Sequence, residues 1–142
     1  MLPALSLDGI IHLEVFENAI TGDNFLQFVR GLLPHMNKWP LPNSVLVIDN
    51  AAIHKVRDIR ELIEGHGARL LFLPSNSPDF NPIELAFPII QAWLRKNRDR
   101  ANEEMETDGG VINNIFLEAV RSVTAKQAKG WYTHCGYEMQ EE

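Results

Sequence analysis

Two carboxylates stand out by position. Asp49 closes the apolar, β-branched run Val45 to Ile48, and Glu84 follows Asn81, Pro82 and Ile83 at the head of a mostly apolar segment, with 34 residues between the two acids. The first run reads as a buried strand and the second segment as a helix. A carboxylate fixed at a strand end and another at a helix start can converge on divalent cations. Such ions take hard oxygen ligands and keep coordination positions free for phosphate and water. The chemistry that suits this pair is cutting or transfer at a phosphodiester.

Other residues near these two carry a functional and a structural reading side by side. Asn50 and His54 follow Asp49 closely enough to position a phosphate or substrate, although a lone histidine at a helix start more often holds a local hydrogen bond. Asn81, Pro82 and Glu84 also fit an N-cap, a first helical proline and a capping-box acid, which would give Glu84 a purely structural task. Asp79, within Ser77-Pro78-Asp79, reads as turn chemistry and stays outside the metal set. Arg95, Lys96, Arg98 and Arg100 form a basic cluster that can contact DNA phosphates, or simply complement the negative end of a helix dipole. His134 and Cys135 are adjacent, a spacing that builds no zinc site by itself.

The elements that must hold these side chains are legible along the chain. Residues 2–6 and 10–16 flank Leu7-Asp8-Gly9, a hairpin turn. Behind the potential caps Thr21 and Asp23, Phe25, Phe28, Val29 and Leu32 recur at helical spacing, predicting a helix to about residue 34. After the proline-broken connection 38–43 comes the Asp49 strand, read as buried on both faces. Residues 55–66 place Val56, Ile59, Leu62 and Ile63 on one helical face, and Gly67 ends that helix. Residues 68–74 repeat the buried-strand pattern. The three pieces predict a βαβ unit with parallel strands, whose carboxyl edge is the usual place for a ligand. A helical segment from 83 reaches the basic cluster, and Pro88 inside it predicts a kink. The stretch Asn102–Gly110 reads as a polar hinge, and Ile112, Ile115, Phe116 and Val120 mark a further helix.

Composition narrows the alternatives. With 142 residues, 45% of them hydrophobic, one core is expected. No run approaches the length of a membrane span, and the start has neither the basic region nor the cleavage site of a secretory signal. Cys135 is the single cysteine, so no internal disulfide can form and a reducing compartment fits. The net charge of −6 is uneven: residues 1–100 carry 10 basic and 11 acidic groups, residues 101–142 carry 3 and 8. A near-neutral body with an acidic tail can still present a local basic patch to a nucleic acid. A phosphoacceptor receiver domain also ends a buried strand on Asp, but needs an acidic pair near the chain start and a later strand-end Lys, and neither is visible.

Val45-Leu-Val-Ile-Asp-Asn-Ala-Ala-Ile-His54 followed by Phe72-Leu-Pro-Ser-Asn-Ser-Pro-Asp-Phe-Asn-Pro-Ile-Glu84 resembles the catalytic domain of DDE-type transposases of the mariner superfamily. The resemblance covers residues 2 to about 97 and returns weakly at residues 130–137. It implies an α/β fold with a ribonuclease H-like mixed sheet flanked by helices over residues 1–100, and an acidic helical C-terminal extension over 101–142. It implies DNA, as transposon ends and target, for a partner, allows a homodimer, and places the protein in the nucleus of a eukaryote or in the cytoplasm otherwise. In that family two Asp and one Glu hold two Mg²⁺ or Mn²⁺ ions for cutting and joining DNA. Asp49 matches the second Asp and Glu84 the Glu, at the superfamily's spacing.

The match to the first Asp is missing. The family carries it on a central strand upstream of the hairpin, before this chain begins, and Asp8 lies in the hairpin turn where it cannot substitute. No helix-turn-helix region precedes the catalytic part either. The expectation is an N-terminally truncated fragment of a DDE transposase, with exposed strand edges, a weak or incomplete metal site and no activity alone. The alternative expectation is a catalytically silent, transposon-derived module that binds nucleic acid or protein. Phe87 stands where the family often has Trp three residues after the Glu, a swap that keeps an aromatic ring.

Overall fold

The computed structural model describes residues 1–16, 18–49, 56–74, 78–107 and 112–138. They form two compact units. One comprises residues 16–81; the other joins residues 3–15 to the chain from Pro82 onward.

In the first unit, Thr21 accepts a hydrogen bond from the Asn24 N–H while the Asn24 side chain accepts from the Thr21 N–H. This reciprocal cap starts α1 (Gly22–Leu32), which ends in a short 3₁₀ turn, Leu33–His35. α1 buries Leu26, Phe28, Val29 and Leu32. Leu26 takes the buried place that spacing assigned to Phe25, which is half-buried and rests its ring on Phe28 at 5.9 Å between centroids.

The predicted βαβ unit is present. β3 (Val45–Ile48) pairs in parallel with β4 (Arg69–Phe72) in the register Val45 to Arg69 through Ile48 to Phe72. Between them α2 (Val56–Gly65) fully buries Ile59 and Ile63. Gly67 ends the connection at φ +90, a left-handed conformation that glycine adopts without penalty. The expectation that both strands are buried on both faces is corrected. Val45 and Leu71 fall on one side of the pleat and are exposed, Leu71 by 52%. An apolar run specifies a strand that tolerates cover on both sides, but the covering layer must come from elsewhere, and here one face stays open.

In the second unit, β1 (Leu2–Ser6) and β2 (Gly9–Glu14) form the expected hairpin. A two-residue connection joins only antiparallel strands. Gly9 sits at φ +112, and a Cβ there would lie 3.2 Å from the Val123 carbonyl, so both backbone conformation and space favour glycine. α3 (Ile83–Lys96) contributes Ala86 and Ile90 to a core completed by Ala119, Val120 and Val123. Leu5, Ile10, Leu13, Trp93 and Trp131 pack around it.

The polar hinge predicted after the basic cluster is also corrected. α3 stops at Asn97, whose side-chain amide donates to the Trp93 carbonyl at 2.9 Å, and Arg98 begins a new helix, α4 (Arg98–Thr107). α4 is polar all round, so periodicity could not announce it. α5 (Ile112–Arg121) follows as expected, and α6 (Ala125–His134) starts on a Thr124 and Gln127 capping box. The Tyr132 hydroxyl donates to the Leu5 carbonyl at 2.8 Å, tying α6 to the hairpin.

Among the described residues the architecture is therefore mixed α/β, with six helices and two small sheets, the hairpin and the parallel pair remaining separate two-stranded ladders. No helix among them is long and apolar enough to cross a membrane.

Candidate functional site

Asp49 directly follows β3. The Leu73 N–H donates to the Ile48 carbonyl at 2.9 Å, so β4 runs beside β3 to the residue before the acid and fixes the backbone that carries it. The Asp49 carboxylate is solvent-exposed at the carboxyl end of the parallel pair, the edge where open α/β sheets bind ligands.

Glu84 lies in the first turn of α3 and is exposed. Pro82, just before the first hydrogen-bonded residue of α3, already has helical dihedrals, φ −59 and ψ −25, and makes no side-chain cap hydrogen bond. With Pro82 in helical conformation Glu84 stands third from a cap at Asn81, so the capping reading and the metal-ligand reading of this side chain both keep their geometry. The amino end of a helix favours a negative group, whether a carboxylate or an incoming phosphate. Pro88 sits inside the same helix four residues on, where it removes the backbone donor that would reach the Glu84 carbonyl.

Asp49 belongs to the 16–81 unit and Glu84 to the other. Asn50 and His54 lie outside the described residues. Asp79 falls in a single 3₁₀ turn, Pro78–Phe80, in keeping with a turn residue. Both candidate ligands offer what a Mg²⁺ or Mn²⁺ ion requires, an accessible hard oxygen donor on a hydrogen-bonded element. Among the described residues no group of three or more His, Cys, Asp or Glu gathers to hold a metal.

The basic cluster divides across two helices. Arg95 and Lys96 occupy the last turn of α3, while Arg98 and Arg100 open α4, and all four are exposed. Arg100 is engaged: its guanidinium meets the Glu118 carboxylate of α5 at 2.6 Å.

One pair escaped the sequence reading. His12 and Glu14 alternate onto the same side of β2 and are mostly buried, with His12 Nε2 3.9 Å from Glu14 Oε1. The Glu14 carboxyl is raised above its ordinary range by burial, and its Oε2 has no hydrogen-bond partner. The available signal was the i, i+2 spacing in His12-Leu13-Glu14, which puts both side chains on one face of a strand.

Residues 1–106 match the model of a family described as DDE superfamily endonuclease. No curated protein and no solved structure gives a match.

Proposed function

The chain belongs to the DDE superfamily endonucleases, and from that premise we propose that residues 1–100 are the metal-dependent endonuclease part of a mariner-type DNA transposase, with Asp49 and Glu84 as metal ligands and residues 101–142 as an acidic helical extension. The observation that carries this reading is the family match, which spans both acids and the βαβ unit whose first strand leads into Asp49. Enzymes of the family act on DNA and generally use divalent metals. The ion, when bound, supplies Lewis acidity at the phosphate and an activated water or hydroxyl. The residues of the chain hold and orient: Asp49 from the end of β3 and Glu84 from the first turn of α3, with Asn50 and His54, which follow Asp49 in the sequence, to position substrate. Arg95, Lys96 and Arg98 face the phosphate backbone.

Asp49 and Glu84 match two of the family's acidic positions, and a shared ion is the property that these two residues themselves predict. The test is therefore metal-directed rather than catalytic. Fe²⁺ with ascorbate generates hydroxyl radicals at a bound ion and cuts the polypeptide nearby. Cleavage around residue 49 and around residue 84 is expected together, competed by Mn²⁺, with both cuts lost in Asp49→Asn and in Glu84→Gln. Cleavage at only one segment, or cuts at both that persist in Asp49→Asn, overturns the shared ion. Salt-sensitive DNA binding surviving in that case would leave the chain a silent nucleic-acid module.

A further inference from the structure

The loop between α1 and β3 holds an aromatic ring out to solvent on a hydrogen-bonded frame. The Trp39 N–H donates to the Gly67 carbonyl at 2.9 Å, the Leu41 N–H to Lys38 at 2.9 Å, and the Asn37 N–H to Asn43 at 3.1 Å. The Asn37 side-chain amide donates to Pro42 at 2.6 Å, and a His66 ring nitrogen lies 3.2 Å from the Met36 carbonyl. Lys38 lies along Gly67 so closely that a Cβ there would be 2.9 Å from its Cγ. A loop tied at this many points does not present an exposed tryptophan by slackness.

Trp39 nevertheless remains 46% exposed and Leu41 58%. The Arg69 guanidinium stands over the indole at 4.3 Å from the ring centroid. One ring face is thus backed by a cation, while the exposure leaves room on the ring for a second flat group. Cations come from both sides of the loop. Lys38 and Arg69 lie in the two segments that meet here, residues 33–48 and 65–74, and neither segment contains an Asp or Glu. Asp49 and Glu64 stand just outside these two segments, and Glu64 pairs with Arg60 at 3.4 Å.

The geometry points to a stacking platform for an unpaired DNA base: the base lies on the open part of the Trp39 ring, and Lys38 and Arg69 attract the flanking phosphates. A π-surface framed by cations is the combination by which single strands are held without sequence preference. A second copy of this chain would use the apolar surface of Trp39 and Leu41, but would leave the paired cation and ring without a matching flat partner. The inference rests on the reading of DNA as substrate and adds to it a subsite for a strand that has left its duplex, away from Asp49 and Glu84 in function.

The experiment measures binding of the intact chain to three labelled probes by fluorescence anisotropy: a thymidine 12-mer, the same strand with abasic sites, and a fully paired hairpin of equal charge. Trp39→Ala should weaken 12-mer binding by roughly 5- to 150-fold, the range of one stacked base. It should leave the hairpin unaffected and abolish the difference between 12-mer and abasic strand. Trp39→Phe should retain most of that difference, which guards against loss of fold, and Arg69→Gln should reduce both affinity and salt dependence. Equal 12-mer binding by Trp39→Ala and the unmodified chain overturns the platform while leaving the metal proposal intact. A Trp39→Ala change confined to sedimentation, turning a dimer into a monomer without altering DNA binding, assigns the surface to a second copy and also overturns it. Failure of the Fe²⁺ cuts beside a preserved Trp39 effect would sink the metal site alone.

Discussion

Neutralising the basic residues at the junction of α3 and α4 tests directly whether that junction meets DNA. Each phosphate neutralised by a Lys or Arg contributes about −0.9 to the slope of log K against log salt on duplex DNA. Arg95, Lys96 and Arg98 are exposed and have no ion pair among the described contacts of that junction. The variant carrying Arg95→Gln, Lys96→Gln and Arg98→Gln should therefore flatten the slope by about 2.7, the sum of three such terms. Between 50 and 200 mM salt the unmodified chain then loses roughly fortyfold more affinity than the variant. Arg100 behaves differently because its guanidinium is held at 2.6 Å by Glu118. The two side chains are 49% and 38% exposed, so the pair is worth at most about 1 kcal/mol. Arg100→Gln should change the slope least. Anisotropy titrations of a labelled 30-mer duplex at several salt concentrations read all of this. An unchanged slope in the triple variant, or an Arg100→Gln effect equal to that of its neighbours, would refute the reasoning.

Two further outcomes concern the frame. Burial first, then the neighbouring Tyr137 and Cys135, push Tyr132 up to about 12 from 10.0. The unfolded chain ionises near the ordinary value and the folded chain only near the raised one. The stability this group contributes is therefore full below pH 10 and lost as pH rises toward 12. Tyr132→Phe should cost about 1 to 3 kcal/mol at pH 7, because the Leu5 carbonyl loses its donor, and should abolish most of the alkaline loss. Urea melts at pH 7 and pH 11 decide it, and parallel pH dependence in both proteins would count against the burial. Pro88, exposed inside α3, costs about 3 kcal/mol in a helix interior, offset by up to about 1 kcal/mol through its stiffening of the unfolded chain. Pro88→Ala should raise stability by about 2 kcal/mol in the same melts.

Local signals were legible wherever a residue type enforces a local geometry. Thr21 and the Asp8-Gly9 turn set the start of α1 and the hairpin, and Gly67 set the end of the α2 connection, because caps and left-handed glycines act within a few residues. The pattern of VLVI and RLLF gave a parallel pair, since α2 between them leaves room for nothing tighter. What escaped depends on partners far away in sequence. Val45 and Leu71 look like residues covered on both sides, and only the assembled chain reveals the open face. α4 has no apolar stripe to betray it, and the Arg100 bridge to α5 spans 18 residues. α6 could have been found from Thr124 and Gln127, a capping box in plain view. For the two acids, the sequence indicates the element that carries each, whereas their approach to a common ion is a tertiary matter.

Ribbons of only two strands leave half of their backbone donors and acceptors without a ladder partner among the described residues. The β3–β4 ribbon compounds this with Leu71 bare on one face. Backbone groups in that condition recruit whatever extended chain is nearest, and at high protein concentration the nearest chain is a sister molecule. Self-association that grows with protein concentration is the expected consequence, read by light scattering across a dilution series. Leu71→Lys, which puts a charge on the open face of β4, should reduce that association, and unchanged scattering would refute it.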